Sequence, residues 1–177
     1  MKNAGKIALG GSFTALSVVI MFLGSIIPAA NYALPAMAGI LLMVVAIEIN
    51  SKWAFMIFLA VSILSMLLVP SKETAVFYIM LFGHYPIIKG FIERIHSAVL
   101  VWIIKYLVFN VCVVSAFLLI MPLLGIEPEG MNNLGKYSVY ILWGLGNIAF
   151  AIYDLALTGI VGMYMSSLHK HMKKLIK

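Results

Sequence analysis

Between short polar interruptions the chain runs in apolar blocks, at 6 to 27, 34 to 49, 53 to 69, 74 to 94, 97 to 121 and 137 to 165. At about 1.5 Å of rise per residue, most are long enough to cross a hydrocarbon core about 30 Å thick as a helix. The interruptions are "PAANYALP" (28 to 35), "NSK" (50 to 52), "PSKE" (70 to 73), "ERIH" (93 to 96) and "GIEPEGMNNLGK" (125 to 136). They gather the Pro, Gly, Asn and charge that end helices. The pattern predicts an all-α membrane protein, six transmembrane helices in a compact bundle, forming a single transmembrane domain over 1 to 177 with no internal repeat.

Composition agrees with the pattern. The 177 residues are 64% hydrophobic and 10% charged, with a mean hydropathy of +1.11, so polar side chains are too few to coat a water-soluble globule. The opening "MKNAGK" and the apolar run behind it read as an anchor, not a cleaved leader, because further spans follow. Lys2, Lys6, Lys52, Lys89, Arg94, Lys170, Lys173, Lys174 and Lys177 gather on one side of the predicted topology, and only Lys72 and Lys136 sit opposite. Both termini are therefore expected in the cytoplasm, in a multi-pass plasma-membrane protein of a bacterium or archaeon. The net charge of +6 is spread over span-flanking loops, so it argues against nucleic acid and for contact with the lipid bilayer, where the tail "HKHMKKLIK" suits anionic headgroups.

Polar residues inside the spans narrow the possibilities, because a polar group left unpaired in hydrocarbon costs several kcal/mol. At about 100° per residue, Tyr140, Trp143, Gly144, Asn147, Ala151, Asp154, Thr158 and Gly162 share one stripe of the last helix, while Leu145, Ile148, Ile152 and Ile160 lie elsewhere. That stripe is expected to face the interior. Tyr140, Trp143 and Asn147 in its outer half suit either a small-molecule pocket or a headgroup-depth aromatic belt. Asp154, about 25 Å from the start of that helix, is expected in an interhelical charge cluster with Lys105, Lys89 and Glu48. Tyr78, Phe82, Tyr85 and Lys89 share a face of the fourth helix, which Pro86 is expected to kink. Asn110 suits a contact between helices. In "VPSKETA", Pro70 stops one helix and Ser71 caps the next. Lys72 and Glu73 there are expected near Asn31 and Tyr32 if the loops converge, with the first loop and the loop after Pro122 as a lid.

Several motifs lead nowhere. "GMNNLGKY" (130 to 137) matches a phosphate loop except that Tyr137 replaces the magnesium-binding hydroxyl, and it follows no strand. His84 and His96 stand alone, and His169 and His171 lack metalloprotease spacing, so no metal is expected. Cys112 has no partner for an intrachain disulfide. With no nucleophile and base in evidence, neither an enzyme nor a cofactor is expected.

Ala8, Gly11, Ser12 and Ala15 form a narrow stripe of small side chains on the first helix, which continues outward as Val19 and Phe22. In lipid such a stripe lets another helix approach closely, either one of this chain's own or a partner's. With six short spans, both ends inside, and the spacing-four pairs Ala8-x-x-x-Ser12 and Gly11-x-x-x-Ala15, the chain resembles the substrate-binding S components of energy-coupling factor (ECF) transporters. The likeness covers nearly the whole chain, although the family's Ala-x-x-x-Ala reads here as Ala8 to Ser12. It implies capture of a vitamin or related micronutrient from outside, through the first loop and the outer ends of helices 4 to 6. It also implies docking through helix 1 on a membrane T component driven by two ATPase subunits. On that reading Tyr140, Trp143 and Asn147 line a pocket with Tyr78, Asn31 and Tyr32, and Lys72 and Glu73 form its rim. A self-contained ion-coupled transporter using Asp154, Lys105 and Glu48, a non-transporting scaffold, and an intramembrane enzyme are the competing readings.

Overall fold

A computed structural model describes residues 3–26, 30–123, 125 and 138–168. Among them every regular element is helical: α1 (Asn3–Gly24), α2 (Ala33–Glu48), α3 (Ser51–Leu68), α4 (Lys72–Phe77), α5 (Tyr85–Ile92), α6 (Ala98–Ser115), α7 (Met121–Leu123) and α8 (Ser138–Met163). Wide π turns follow α4 (Tyr78–Phe82), α6 (Ala116–Ile120) and α8 (Tyr164–Leu168). Five runs are long and apolar enough to cross a membrane: Ala4–Gly24, Ser51–Leu68, Lys72–Ile92, Ala98–Leu123 and Tyr140–Ser166. The sixth expected span, Ala33–Glu48, has 16 residues, about 24 Å of helix, which falls short of a typical core.

The chain divides into two units, residues 1–105 and 106–177. In the first, α1, α2 and α3 pack on one another around Met21, Ala38, Leu42, Val45, Ile57, Phe58 and Val61. Gly10 permits the close approach of α1 to α3, since a Cβ there would lie 3.2 Å from Ile57 Cδ1. The buried positions include Ser17, Ser62, Ser65 and Thr74, while Phe55, Ile63, Leu67 and Leu68 are exposed. Small polar groups inside and large apolar ones outside is the arrangement a lipid solvent favours, and it is compatible with a membrane-embedded protein.

Local chemistry sets the ends of α3 and α4. The Asn50 side chain accepts from Trp53 N at 2.9 Å and starts α3. The Ser71 hydroxyl accepts from Thr74 N and starts α4, as "PSKE" leads one to expect. Further along the same run, Pro86 has no N–H to give, and its ring would collide with the carbonyl four residues back. The expected kink takes the form of the π turn: Gly83 N bonds Tyr78 O at 2.7 Å, and the His84 ring nitrogen Nδ1 donates to Ile79 O at 3.1 Å. Gly83 is required here because a Cβ would sit 2.6 Å from the Phe58 ring and 2.9 Å from Tyr78 O.

In the second unit Phe109 and Phe150 stack at 4.4 Å, with Tyr106 edge-on to Phe150. These rings set the buried face of α8, which runs through Phe150, Asp154 and Leu157. Leu145, Ile148 and Ile152 point outward as expected, but Tyr140, Trp143, Thr158 and Gly162, expected inside, are exposed. The aromatic pair rotates the seam, since two phenyl rings bury far more area than a threonine and a glycine.

Candidate functional site

Three polar clusters interrupt the apolar packing, and each collects residues singled out in the sequence. The first joins the loop before α2 to the start of α4. Tyr32 donates its hydroxyl to Glu73 Oε1 at 2.7 Å and packs edge-on against Phe77 at 4.9 Å. Thr74 donates to Asn31 Oδ1 at 3.3 Å, and Ser71 N donates to Ser25 Oγ at 3.0 Å. Glu73 is only 6% exposed and Asn31 is buried, whereas Tyr32 is half open to its surroundings. The carboxylate is thus covered by a loop held through neutral donors and one ring contact. Lys72 points elsewhere, donating to Met66 O and Val69 O at the C-terminal end of α3. There its charge complements the helix dipole.

At the other end of the Lys72–Ile92 run lies an ionic cluster. Lys89 and Lys105, only 2% and 3% exposed, both donate to Glu93 Oε1, at 2.5 Å and 2.7 Å. The Lys105 ammonium also lies 5.3 Å from the Trp102 ring centroid. Burial alone would raise the Glu93 carboxyl, but hydrogen bonds and charge from Lys105 and Lys89 outweigh it and hold it below its ordinary value. The sequence put Lys89 and Lys105 in one cluster and missed Glu93, which lies in the "ERIH" turn. The i, i+4 spacing of Lys89 and Glu93 was the available signal. Glu48, also expected there, is the last residue of α2. Asp154 belongs to the second unit, where it is 1% exposed on α8.

The third cluster ties α6 to α8. Trp143 donates its indole N–H to Asn110 Oδ1 at 2.7 Å. Asn110 donates to Asn147 Oδ1 at 3.0 Å and to Tyr106 O at 2.8 Å, and Asn147 donates to Trp143 O at 2.8 Å. Both N–H groups of Asn110 are therefore spent inside the network, and the indole N–H of Trp143 with them. What Trp143 leaves open is its ring, and Tyr140 one turn earlier is exposed too. Of the other residues named from sequence, Tyr78 is fully buried against Phe58 at 6.0 Å. "GMNNLGKY", most of the loop after Pro122, and His169 and His171 lie outside the described residues.

Ala8, Gly11, Ser12 and Ala15 are all exposed, and so are Val19 and Phe22 on the same face of α1. A Cβ on Gly11 would meet nothing within 4 Å. Ser12 turns its hydroxyl back to Ala8 O at 3.0 Å, which satisfies it without a neighbour. The opposite face, with Gly10, Ser17, Met21 and Gly24, is the one that packs within the first unit. Family models, curated proteins and solved structures were compared with the chain. None matches.

Proposed function

We propose that the chain is a membrane-embedded substrate-binding subunit of an ECF-type importer. It crosses the membrane six times with both termini in the cytoplasm. It captures a vitamin-like micronutrient from outside and docks through α1 on a T component driven by two ATPases. The observation that carries this reading is the exposed small-residue face of α1. Among the described residues Ala8, Gly11, Ser12 and Ala15 are exposed and lie off the face by which α1 packs in the first unit, and small side chains in lipid are useful where a second helix must come close. The Tyr32–Glu73 contact gives the reading its loop, closed over a buried carboxylate through a neutral hydroxyl donor. The exposed rings of Tyr140 and Trp143 offer stacking surface for a heterocycle. The chain binds and hands over its ligand and performs no chemistry on it.

The test has two arms. Co-expression with a T component and its ATPases recovers the complex with the native chain, while Ala8→Leu and Ser12→Leu reduce recovery at least tenfold; unchanged recovery removes α1 as the docking face. Mass spectrometry of small molecules carried through purification finds a bound heterocycle whose retention falls in Trp143→Ala; its absence counts against capture.

The burial of Asp154, Lys89 and Lys105 favours a second reading, an ion-coupled transporter acting alone. Uptake by the purified chain in liposomes, driven by a pH gradient without ATPases, would replace the first reading with the second.

A further inference from the structure

Residues 93–97 join the ends of two runs long and apolar enough to cross a membrane, Lys72–Ile92 and Ala98–Leu123; if both runs span, this turn falls where the membrane gives way to water. Every residue in it is exposed. The flanking side chains are apolar and open as well, with Phe91, Ile95, Val99 and Trp102 all exposed. Rings at such a depth sit among headgroups.

Electrostatics then separates the two charged residues at the head of the turn. Glu93 is turned inward to Lys89 and Lys105. Arg94 contacts no carboxylate among the described residues, and its guanidinium lies 5.2 Å from the Phe91 ring centroid, its planar face supported by the ring. His96 follows two residues later, exposed and likewise without a described acid beside it. The turn thus neutralises its negative charge against Lys89 and Lys105 and presents a planar cation beside the Phe91 ring. A guanidinium in that state matches the paired oxygens of a phosphate, and the surrounding apolar side chains match acyl chains.

We propose that Arg94, with His96 beside it, seats the phosphate of an anionic phospholipid, making the 93–97 turn a lipid-binding site. The site needs only that this turn meets the headgroup layer, so it stands apart from the ligand and docking reading above. Charge complementarity selects an anionic lipid over a zwitterionic one, and the apolar collar selects a lipid over a free anion.

The experiment counts lipids retained by the full chain in native mass spectrometry after titration with phosphatidylglycerol or with phosphatidylcholine. The native chain is expected to retain phosphatidylglycerol in preference. Arg94→Gln lowers that retention about fivefold, Arg94→Lys lowers it less because the charge remains and the planar fork is lost, and Lys52→Gln, at an exposed lysine near the start of α3, leaves it unchanged. Thermal unfolding of each variant checks the fold, and Arg94→Lys decides the matter if Arg94→Gln does not fold. Equal retention of the two lipids, native-like retention in Arg94→Gln, or an equal loss in Lys52→Gln overturns the site. Displacement of phosphatidylglycerol by excess inorganic phosphate also overturns it, in favour of a free-anion site.

Discussion

Glu73 and Glu93 lie near the two ends of one interrupted helical run and are held by opposite means. Glu73, the more buried, takes the hydroxyl of Tyr32 from a loop. Glu93, with 39% of its side chain exposed, takes two nearly buried lysines. A neutral donor can withdraw from a carboxylate at the cost of one hydrogen bond, which water or a ligand can replace. Two lysines cannot lose their shared acid so easily, since each is left a desolvated charge. The Tyr32 hydrogen bond to Glu73 is thus the easier contact to break, and the ion pairs of Glu93 the harder.

Breaking the ionic end has the largest expected effect. Glu93→Gln costs about 2 to 3 kcal/mol in unfolding from detergent, less than the loss of a fully buried pair because solvent screens part of the cluster. The same carboxyl gives a pH signature. Its folded value lies below the ordinary 4.5, so its contribution is complete above that value and is lost as pH falls through the folded one. Native stability is expected to decline on that acid limb, and Glu93→Gln to flatten it. Gly83→Ala, between the two ends, forces a methyl into the Phe58 ring and costs about 2 kcal/mol. At the neutral end Tyr32→Phe costs about 1 kcal/mol and raises protease sensitivity in the first loop before anywhere else; a cost equal to that of Glu93→Gln would erase the contrast. Asn110→Ala removes the amide that links Trp143 and Asn147. It costs about 0.6 kcal/mol by the usual worth of such bonds in membranes, and Trp143 emission shifts. Ala8→Leu changes stability by less than about 0.5 kcal/mol, since Ala8 is exposed on α1 among the described residues.

The contrast also marks how far the sequence could be read. Hydrophobic blocks located the helices within a few residues, because the length of apolar chain needed to cross lipid leaves little freedom. Pro86 announced an irregularity but not its form; whether a helix answers a proline by a bend or a π turn depends on what packs there, here Phe58 against Gly83. Helical spacing placed Asn147 and Trp143 on one stripe, yet their hydrogen bonds run to Asn110, 37 and 33 residues away. The stripe of α8 was off in phase because two phenylalanines outweighed a threonine and a glycine in area buried. Glu93 was passed over because a charge beside an arginine in a turn resembles punctuation, and only the three-dimensional course of Lys105 brings the second lysine to it.

The central claim is that the small face of α1 is kept bare for a transporter partner. A photo-reactive phenylalanine analogue at Ala15, irradiated in native membranes and followed by identification of the adduct, tests it most directly. The account predicts a cross-link to a polytopic T component that co-purifies with two ATPases. Adducts only to lipid, or only to a second copy of this chain, would contradict it.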